Sequence, residues 1–526
     1  MYRLKRRSHN KIKIVSFLLV ILLLSVGGYL YLSRKSFKKP TVLKNSFQLN
    51  FDSSVAQTEK DQINKSLKEQ NIALKNDISV SVSSKDSVED INSVISANVF
   101  TTGLYSSLQN LDNSVLTDQK VEVNQSVDKS LLPEFAKFLN IREENLSSRN
   151  TDYNPSSSSI SIEPVSSLNA KQKLLSYNQN YYLDSFTKGA IFRVVEFSGA
   201  GSDELKNIKF SDLPNKDSIY KVNMSGVTAF TRMMGRKLNQ VNDPLYFSKY
   251  IGPFLADADL THISNEVSFQ PNCQYNDAVF CSDPRFIETI KASGVDLIEL
   301  TGNHNNDVGR QYNTDSINLY HSLGIKTFGG GLNAQEAQKA YFTETKGSKV
   351  TFLAYNYADS PSGLAIATGS EAGANSFDFN KIEEDIKQAK AKNSFVIVDV
   401  QYNECYSYPD GFVEYPICNL PIANQKETFR KIIDLGADMV IGSSAHQPQI
   451  YESYKDKMIY YGLGNLYFDQ TQWPGTERGI ILTHYFKDSK LVQTKLTPTI
   501  YDEALQTKQM TPEKAQDFLD FLNKSR

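Results

Sequence analysis

Residues 295–307 carry the sequence VDLIELTGNHNND, in which an apolar run, Val295–Leu300, is followed at once by a polar loop. A short apolar run of this kind is typical of a buried strand, and open α/β sheets carry their chemistry on the loops beyond strand ends. The loop contains Gly302-Asn303-His304. An amide oxygen and an imidazole that lie close together can bind a metal ion or an oxyanion. This stretch predicts an α/β domain with a functional site at the end of the strand.

Similar polar segments at or after strands occur elsewhere in the chain: Ala258–Glu266, Val398–Cys405, Met439–His446 and Leu463–Asn465. Together with residues 295–307, these segments contain three of the chain's six His. Because His304 and His446 each follow a strand and a glycine, we predict that they share one site. His262 belongs either to that site or to the core. Glu266 is the favoured carboxylate, whereas Glu404 either pairs with a cation or faces solvent.

The region around these loops alternates between apolar strand patterns and helical patterns, which predicts one α/β domain over residues 221–500 with helices covering a sheet. The predicted strands are Val350–Ala354, Phe395–Val400, Met439–Ile441, Met458–Tyr461 and Gly479–Leu482, and the predicted helices are Arg285–Ala292, Ile382–Ala391 and Asn424–Leu435. Residues 501–526 are predicted to form a helical tail, because Thr511-Pro512-Glu513 places a proline at the first helical position.

The preceding region, residues 41–220, has the patterns of a smaller mixed α/β domain. Residues 147–169 resemble a linker because they are rich in serine and contain two prolines. The apolar run Ala190–Val195 predicts a strand that returns to the sheet of this smaller domain.

The N-terminus predicts a membrane anchor. Residues 1–13 are basic without an acidic residue, and residues 14–32 contain no charge. A helix of that length spans roughly 28 Å, close to the thickness of the hydrocarbon core. A signal peptide is the alternative, but Arg34-Lys35 follows the apolar segment without a small-residue cleavage site. We expect a single-pass protein of the cell membrane, with a cytoplasmic basic tail and the bulk of the chain extracytoplasmic.

The cysteine content and the net charge further restrict the class of protein to which this chain can belong. Cys273 with Cys281 and Cys405 with Cys418 form two close pairs without metal-site spacing, so each pair predicts either a disulfide or two buried thiols. The formal net charge of −2, from 57 basic and 59 acidic side chains, gives no basic face for nucleic acid.

Several of these segments together resemble the CapA family of capsule and poly-γ-glutamate synthesis proteins. The residues that carry the resemblance follow the family's order over about Val222–Phe486: Met233-Met234-Gly235-Arg236, Asn265-Glu266, Gly302-Asn303-His304 with Asp307 and Gly309, Gly442 to His446, and Gly464-Asn465. The resemblance implies a calcineurin-like metallophosphoesterase-type sandwich of β-sheets flanked by helices. It also implies a membrane-anchored protein that helps to make or export an anionic surface polymer. Its partners would be other envelope synthesis proteins.

The sequence departs from the family pattern where metal ligands are expected. Phe230-Thr231 stands where the family has Gly-Asp, Gln401-Tyr402-Asn403 replaces His-Trp-Gly, and Ser443-Ser444 precedes a lone His446. A two-metal phosphoesterase needs a bridging carboxylate and several imidazoles. We therefore expect either one divalent metal (Mn, Zn or Fe) or none, in which case Arg236 or Arg310 would contact the carboxylates or phosphates of an anionic polymer.

The residues assigned to the site follow from the pattern and the resemblance together. His304 and His446 are the catalytic candidates, and the candidate metal ligands are Glu266, Asn303, His304 and His446. The candidate substrate-binding residues are Asn265, Arg236, Asp307, Gln401, Glu404 and Asn465. A surface metal-dependent hydrolase of phosphoesters or amides and a non-catalytic polymer-binding module are the alternative functions.

Overall fold

Long runs of buried apolar residues, separated by amphipathic helices, build a mixed α/β protein. The computed structural model describes residues 47–149, 159–275, 279–360, 362–405, 421–422 and 424–524. The predicted basic tail (1–13) and anchor (14–32) lie outside these residues. Among the described residues, no helix has both the length and the apolar composition needed to cross a bilayer.

The smaller domain consists of a mixed sheet covered by helices. Its strands are β1 (Leu49–Phe51), β2 (Ile78–Ser87), β3 (Val94–Gly103), β4 (Asn110–Leu111), β5 (Val121–Asn124), β6 (Leu146–Arg149), β7 (Ile160–Pro164), β8 (Gln172–Leu174), β9 (Ser176–Tyr177) and β10 (Lys188–Ser198). Its helices are α1 (Gln57–Glu69), α2 (Asn113–Leu116), α3 (Leu132–Leu139) and α4 (Tyr182–Ser185). The sheet order is β1-β2-β10-β3-β7-β5-β6, so β10 returns between β2 and β3 as predicted.

Part of the stretch predicted as a linker belongs to this sheet. Ser147 to Arg149 lie in β6, and Ile160 to Pro164 form β7 between β3 and β5. The alternation Ser159-Ile160-Ser161-Ile162 has the period of a strand, and pairing with β3 and β5 places it in the sheet despite the serine-rich composition. The linker prediction was therefore wrong for these residues, while residues 150–158 lie outside the described part.

The larger domain contains two further sheets. Its strands are β11 (Tyr220–Thr228), β12 (Leu260–Asn265), β13 (Leu297–Glu299), β14 (Lys326–Phe328), β15 (Gly330–Gly331), β16 (Tyr341–Thr345), β17 (Ser348–Asn356), β18 (Gly373–Ala374), β19 (Phe395–Cys405), β20 (Met439–Ala445), β21 (Tyr451–Tyr454), β22 (Lys457–Tyr460), β23 (Asn465–Tyr467), β24 (Arg478–Lys487), β25 (Lys490–Tyr501) and β26 (Thr507–Gln509). Its helices are α5 (Arg232–Val241), α6 (Gly252–Leu255), α7 (Ile287–Ala292), α8 (Arg310–Ser322), α9 (Ala334–Ala337), α10 (Phe379–Lys390), α11 (Gln425–Asp434) and α12 (Pro512–Lys524).

The two large sheets share one core. One sheet has the order β14-β13-β12-β11-β24-β25-β26, and the other has the order β16-β17-β19-β20-β22-β21. Buried residues of both, such as Met224 on β11 and Ile397 on β19, pack in a single cluster, which α12 joins through Phe518 and Leu522. Separate clusters bury α5 to α8 against the first sheet and α10 and α11 against the second. The parallel strands β12, β13, β19 and β20 end near one another, and these ends position the candidate site.

The smaller domain is attached to this sandwich by a charged contact. The Asp184 carboxylate on α4 lies 2.9 Å from Lys221 Nζ and 2.8 Å from Lys495 Nζ, and it accepts a 2.6 Å hydrogen bond from the Tyr485 hydroxyl. Burial opposes ionisation, but the two lysines lower the pKa of Asp184 to about 2. The carboxylate therefore stays ionised and links the two domains at neutral pH.

Candidate functional site

The site lies where the strands of both large sheets end. Glu266 directly follows β12, and Asn303 and His304 follow β13 after a short turn. Gln401 and Glu404 lie in the last part of β19. The sequence pattern predicted these positions, and the fold brings the five side chains into one hydrogen-bonded cluster.

Gln401 is the centre of this cluster. It is fully buried, and its Nε2 donates to Glu266 Oε1 at 2.9 Å and to Asn303 Oδ1 at 3.1 Å. Its Oε1 accepts a 2.7 Å hydrogen bond from the hydroxyl of Ser443 on β20. One carboxamide thus connects the ends of β12, β19 and β20 with the loop that follows β13.

Glu266 is buried at this centre with only one of its oxygens hydrogen-bonded. Its side chain is 1% exposed, and its Oε2 has no hydrogen-bond partner among the described residues. Burial raises the pKa of the Glu266 carboxyl to about 7, although the nearby His304 and the hydrogen bond from Gln401 act in the opposite direction. Glu266 therefore changes its charge near neutral pH.

His304 lies between two carboxylates. Its Nδ1 is 2.8 Å from Asp307 Oδ2, and its Nε2 is 3.6 Å from Glu404 Oε1. Burial lowers the pKa of His304, but the contacts with Asp307 and Glu404 outweigh burial and raise it to about 10. Burial likewise opposes the charge of Glu404, and His304 is foremost among the groups that lower the pKa of Glu404 to about 2. His304 is thus a cation held by two anions at neutral pH.

His446, unlike His304, is uncharged at neutral pH. It is 2% exposed, and burial lowers its pKa to about 4, so the ring is neutral at neutral pH. Its Nδ1 lies 3.1 Å from Asn465 Oδ1, while Asn465 Nδ2 donates to Gln470 Oε1 and to the Thr476 carbonyl. Because the Asn465 amide is oriented by these donations, Nδ1 of His446 carries the proton and Nε2 carries the lone pair. Asn465, predicted to bind substrate, holds the tautomer of His446.

Arg232 joins the site although the sequence analysis did not select it. Its guanidinium lies 5.0 Å from the ring centre of Phe280 and 4.5 Å from that of Phe468, and its Nη2 donates to the Asp469 carbonyl at 2.7 Å. The ring centre of Phe280 lies 4.4 Å from that of His304, and the ring centre of Phe468 lies 5.1 Å from that of His446. The only sequence signal was a charged residue directly ahead of the Met233-to-Arg236 segment.

Arg236 and Asn265, both predicted to bind substrate, lie away from this cluster. Arg236 is exposed on α5, and its Nη2 donates to the Tyr275 carbonyl at 3.3 Å. The side chain of Asn265 donates to the Val267 carbonyl at 2.9 Å within the core. Asp307 does lie in the cluster, where it accepts hydrogen bonds from His304 and from the backbone N–H of Phe280 at 3.0 Å.

A disulfide stabilises the loop that contains Phe280. Cys273 and Cys281 are bonded as predicted, with their Cα atoms 5.7 Å apart. The bond thus fixes the residue next to Phe280, whose ring contacts His304 and Arg232. The predicted pair of Cys405 and Cys418 lies outside the residues whose side chains the structure describes.

His262 belongs to the core between the sheets, one of the two positions predicted for it. It is 2% exposed, and its Nε2 lies 3.3 Å from Asp399 Oδ2. Burial raises the pKa of the Asp399 carboxyl and of the neighbouring Glu299 carboxyl. These groups form a second buried polar cluster behind the site.

The observed arrangement does not form a coordination sphere from the four predicted metal ligands. Glu266 and Asn303 direct oxygens toward the Gln401 amide, and the two ring nitrogens of His304 face Asp307 and Glu404. Within the described segments, no group of three or more His, Cys, Asp or Glu side chains is placed to hold a metal ion. The metal-ligand assignment stays a prediction that the observed hydrogen bonds do not favour.

Comparison with known proteins shows which family the larger domain is similar to. Residues 221–470 match the family described as bacterial capsule synthesis protein PGA_cap. The capsule biosynthesis protein CapA of Bacillus anthracis is 23% identical over 270 residues, which cover 49% of this chain and 62% of that protein. The PGA biosynthesis protein CapA of Bacillus subtilis (strain 168) is 24% identical over 282 residues, covering 52% of this chain and 70% of that protein. The chain therefore spans less than two thirds of the first relative.

Solved structures show weaker similarity. A hypothetical protein from Thermus thermophilus has a TM-score of 0.34 at 14% identity and covers 54% of this chain and 100% of its own. The sulfate thiohydrolase SoxB of the same organism has a TM-score of 0.31 at 9% identity and covers 60% of this chain and 62% of its own. Both TM-scores are too low for any conclusion. The sequence matches show that the domain that contains the site is similar to the CapA proteins of bacterial capsule synthesis.

Proposed function

We propose that this protein is a membrane-anchored, extracytoplasmic factor in the synthesis or export of a capsule or poly-γ-glutamate-type surface polymer. One observation carries the proposal: the entire polar cluster, from Arg232 to Asp469, falls within the residues that match the capsule synthesis family. The partners proposed are the membrane, the anionic polymer and other envelope synthesis proteins.

Three further features support this assignment. The uncharged segment 14–32 after a basic tail is long enough to anchor the chain. The disulfide between Cys273 and Cys281 is typical of proteins outside the cytoplasm. The shared core of the two large sheets, with helices on their outer faces, suits a calcineurin-like sandwich.

Gene deletion tests the proposal directly. We expect deletion to lower the amount or chain length of the surface polymer, and the wild-type gene to restore both. A gene with His304→Ala and His446→Ala should restore neither. The matched control is His321→Ala, because His321 is exposed and bonds to Thr327 away from the cluster. An unchanged polymer after deletion would reject the proposed function.

A metal-dependent hydrolase of phosphoesters or amides is the second candidate. It is favoured by the orientation of the neutral His446 through Nδ1 by Asn465, which is how proteins position histidines that ligate metals or transfer protons. Purified protein supplied with Mn²⁺, Zn²⁺ or Fe²⁺ should then turn over such substrates. Absence of turnover with all three metals would remove this candidate.

A further inference from the structure

The two oxygen ligands predicted for a metal are already bridged by a side chain. Gln401 Nε2 lies 2.9 Å from Glu266 Oε1 and 3.1 Å from Asn303 Oδ1. The two hydrogens of this nitrogen link the Glu266 and Asn303 oxygens in the way that a bridging cation would. A cation that ligated both oxygens would have to displace Gln401, which is fully buried at the end of β19.

The orientation of the Gln401 amide is fixed by its neighbours. Glu404 Oε1 accepts a 3.2 Å hydrogen bond from Asn303 Nδ2, and a carboxylate can only accept. The Asn303 oxygen must therefore face Gln401, which must present its nitrogen in return. The Ser443 hydroxyl donates to the remaining Gln401 oxygen at 2.7 Å. A flipped amide would place oxygen against oxygen at both contacts.

A permanent positive charge also packs against the aromatic neighbours of the two histidines. The Arg232 guanidinium packs between Phe280 and Phe468, within the distance at which a cation is attracted to an aromatic face. Arg232 has a φ of 43°, a left-handed conformation that is costly for a residue other than glycine. This strained backbone at the first residue of α5 occurs where the guanidinium meets the ring neighbours of His304 and His446.

We propose that this site works without a bound metal, with Gln401 taking the structural place of the cation between Glu266 and Asn303 and Arg232 supplying the positive charge. The group accepted there is an oxyanion, a carboxylate or a phosphate, because guanidinium groups bind both. The identity of the ligand rests on the proposed function, whereas the metal-free site does not.

Metal analysis tests the first half of the proposal. The full-length protein in detergent is equilibrated with excess Mn²⁺, freed of unbound ion and analysed by mass spectrometry. We expect the wild type and the Gln401→Leu variant each to retain far less than one equivalent of Mn²⁺ per protein chain. The double variant Thr231→Asp/Gln401→His restores the carboxylate and imidazole of the family pattern and should retain close to one equivalent. Thr231 is the N-cap of α5, a position where aspartate is well tolerated.

The metal content of the wild-type protein tests the proposal even if one of the variants fails to fold. One equivalent of metal in the wild type, lost in the His304→Ala/His446→Ala variant, would overturn the metal-free site.

Anion binding tests the second half. Inorganic phosphate and a poly-γ-glutamate oligomer are titrated separately in the presence of EDTA. We expect binding to persist, to weaken at least about tenfold in Arg232→Gln as one charge-assisted contact is lost, and to recover in part in Arg232→Lys. Arg236→Gln is the matched control, an exposed arginine on the same helix, with affinity expected within about twofold of wild type.

The outcomes separate the two halves. Loss of binding in EDTA, or an equal loss in Arg236→Gln, would overturn the role of Arg232. Binding of neither probe would overturn the oxyanion assignment and count against the proposed function without affecting the metal result. The probe that binds more tightly, phosphate or the poly-γ-glutamate oligomer, shows whether the bound group is a phosphate or a carboxylate.

Discussion

Replacing Glu266 by glutamine should make the protein more stable at alkaline pH and leave its stability almost unchanged at acid pH. Glu266 is 1% exposed, and burial raises the pKa of its carboxyl from 4.5 to about 7. A raised folded-state pKa adds stability that is complete below the unfolded-state value and is lost as the pH rises through the folded-state value. The wild type should therefore lose stability between about pH 4.5 and pH 8, and the variant should not.

The size of the effect follows from the same two pKa values. At about 1.36 kcal/mol for each pH unit between them, the free energy of unfolding differs by about 3 kcal/mol between the ends of this range. The hydrogen bond from Gln401 Nε2 is preserved in Glu266→Gln, because the amide oxygen can accept it in place of Oε1. Loss of that bond should therefore contribute little.

The assay is urea unfolding of both proteins across this pH range at constant ionic strength, with fluorescence detection. The control is Glu288→Gln, which removes a half-exposed carboxylate paired with Lys291 and should show no comparable dependence on pH. A stability difference between wild type and Glu266→Gln that is constant with pH, or that grows toward acid pH, would refute the assigned titration. A carboxylate bound to a metal would be ionised throughout and would give the constant result.

Three further perturbations have defined outcomes. In Asp307→Asn the pKa of His304 should fall from about 10 toward its ordinary 6.5, which imidazole NMR titration measures; an unchanged pKa would show that Asp307 does not hold the charge. Removal of the disulfide in Cys273→Ala/Cys281→Ala should cost about 2–3 kcal/mol of unfolding free energy, and equal stability before and after reduction would contradict this. In Asp184→Asn the contact between the domains should weaken by about 2 kcal/mol and amide exchange at α4 should accelerate, whereas unchanged exchange would place the attachment elsewhere.

The parts of the site that lie next to a strand in sequence were predictable. The strand expected over Val295–Leu300 is observed as β13, and Asn303 and His304 follow it into the cluster. The same pattern located His446 after β20. A strand followed by glycine and a polar residue fixes where the chain leaves the sheet, which is a local property.

Contacts between distant segments were not predictable from the same patterns. Gln401 bonds to residues 135 and 98 positions away in sequence, so its bridging role depends on how the two sheets meet. The direction of the Arg232 side chain depends on a left-handed backbone at the start of α5, which no composition indicates. Arg236 was selected from its motif, yet the turn of the helix carries it to the exposed face.

The linker assignment shows a different limit. Serine-rich composition suggested an irregular segment over residues 147–169, but residues 147–149 and 160–164 of this stretch form strands of the sheet. Strand formation there depends on pairing with β3 and β5, because the short Ser-Ile alternation is too weak to be decisive alone.

The metal content of the protein purified from its native source without chelators tests the metal-free site most directly. We predict that Mn, Zn and Fe are each far below one equivalent, and that the preparation still binds a poly-γ-glutamate oligomer. One equivalent of any of these metals, absent from the His304→Ala/His446→Ala variant prepared in the same way, would contradict a site bridged by Gln401 and charged by Arg232.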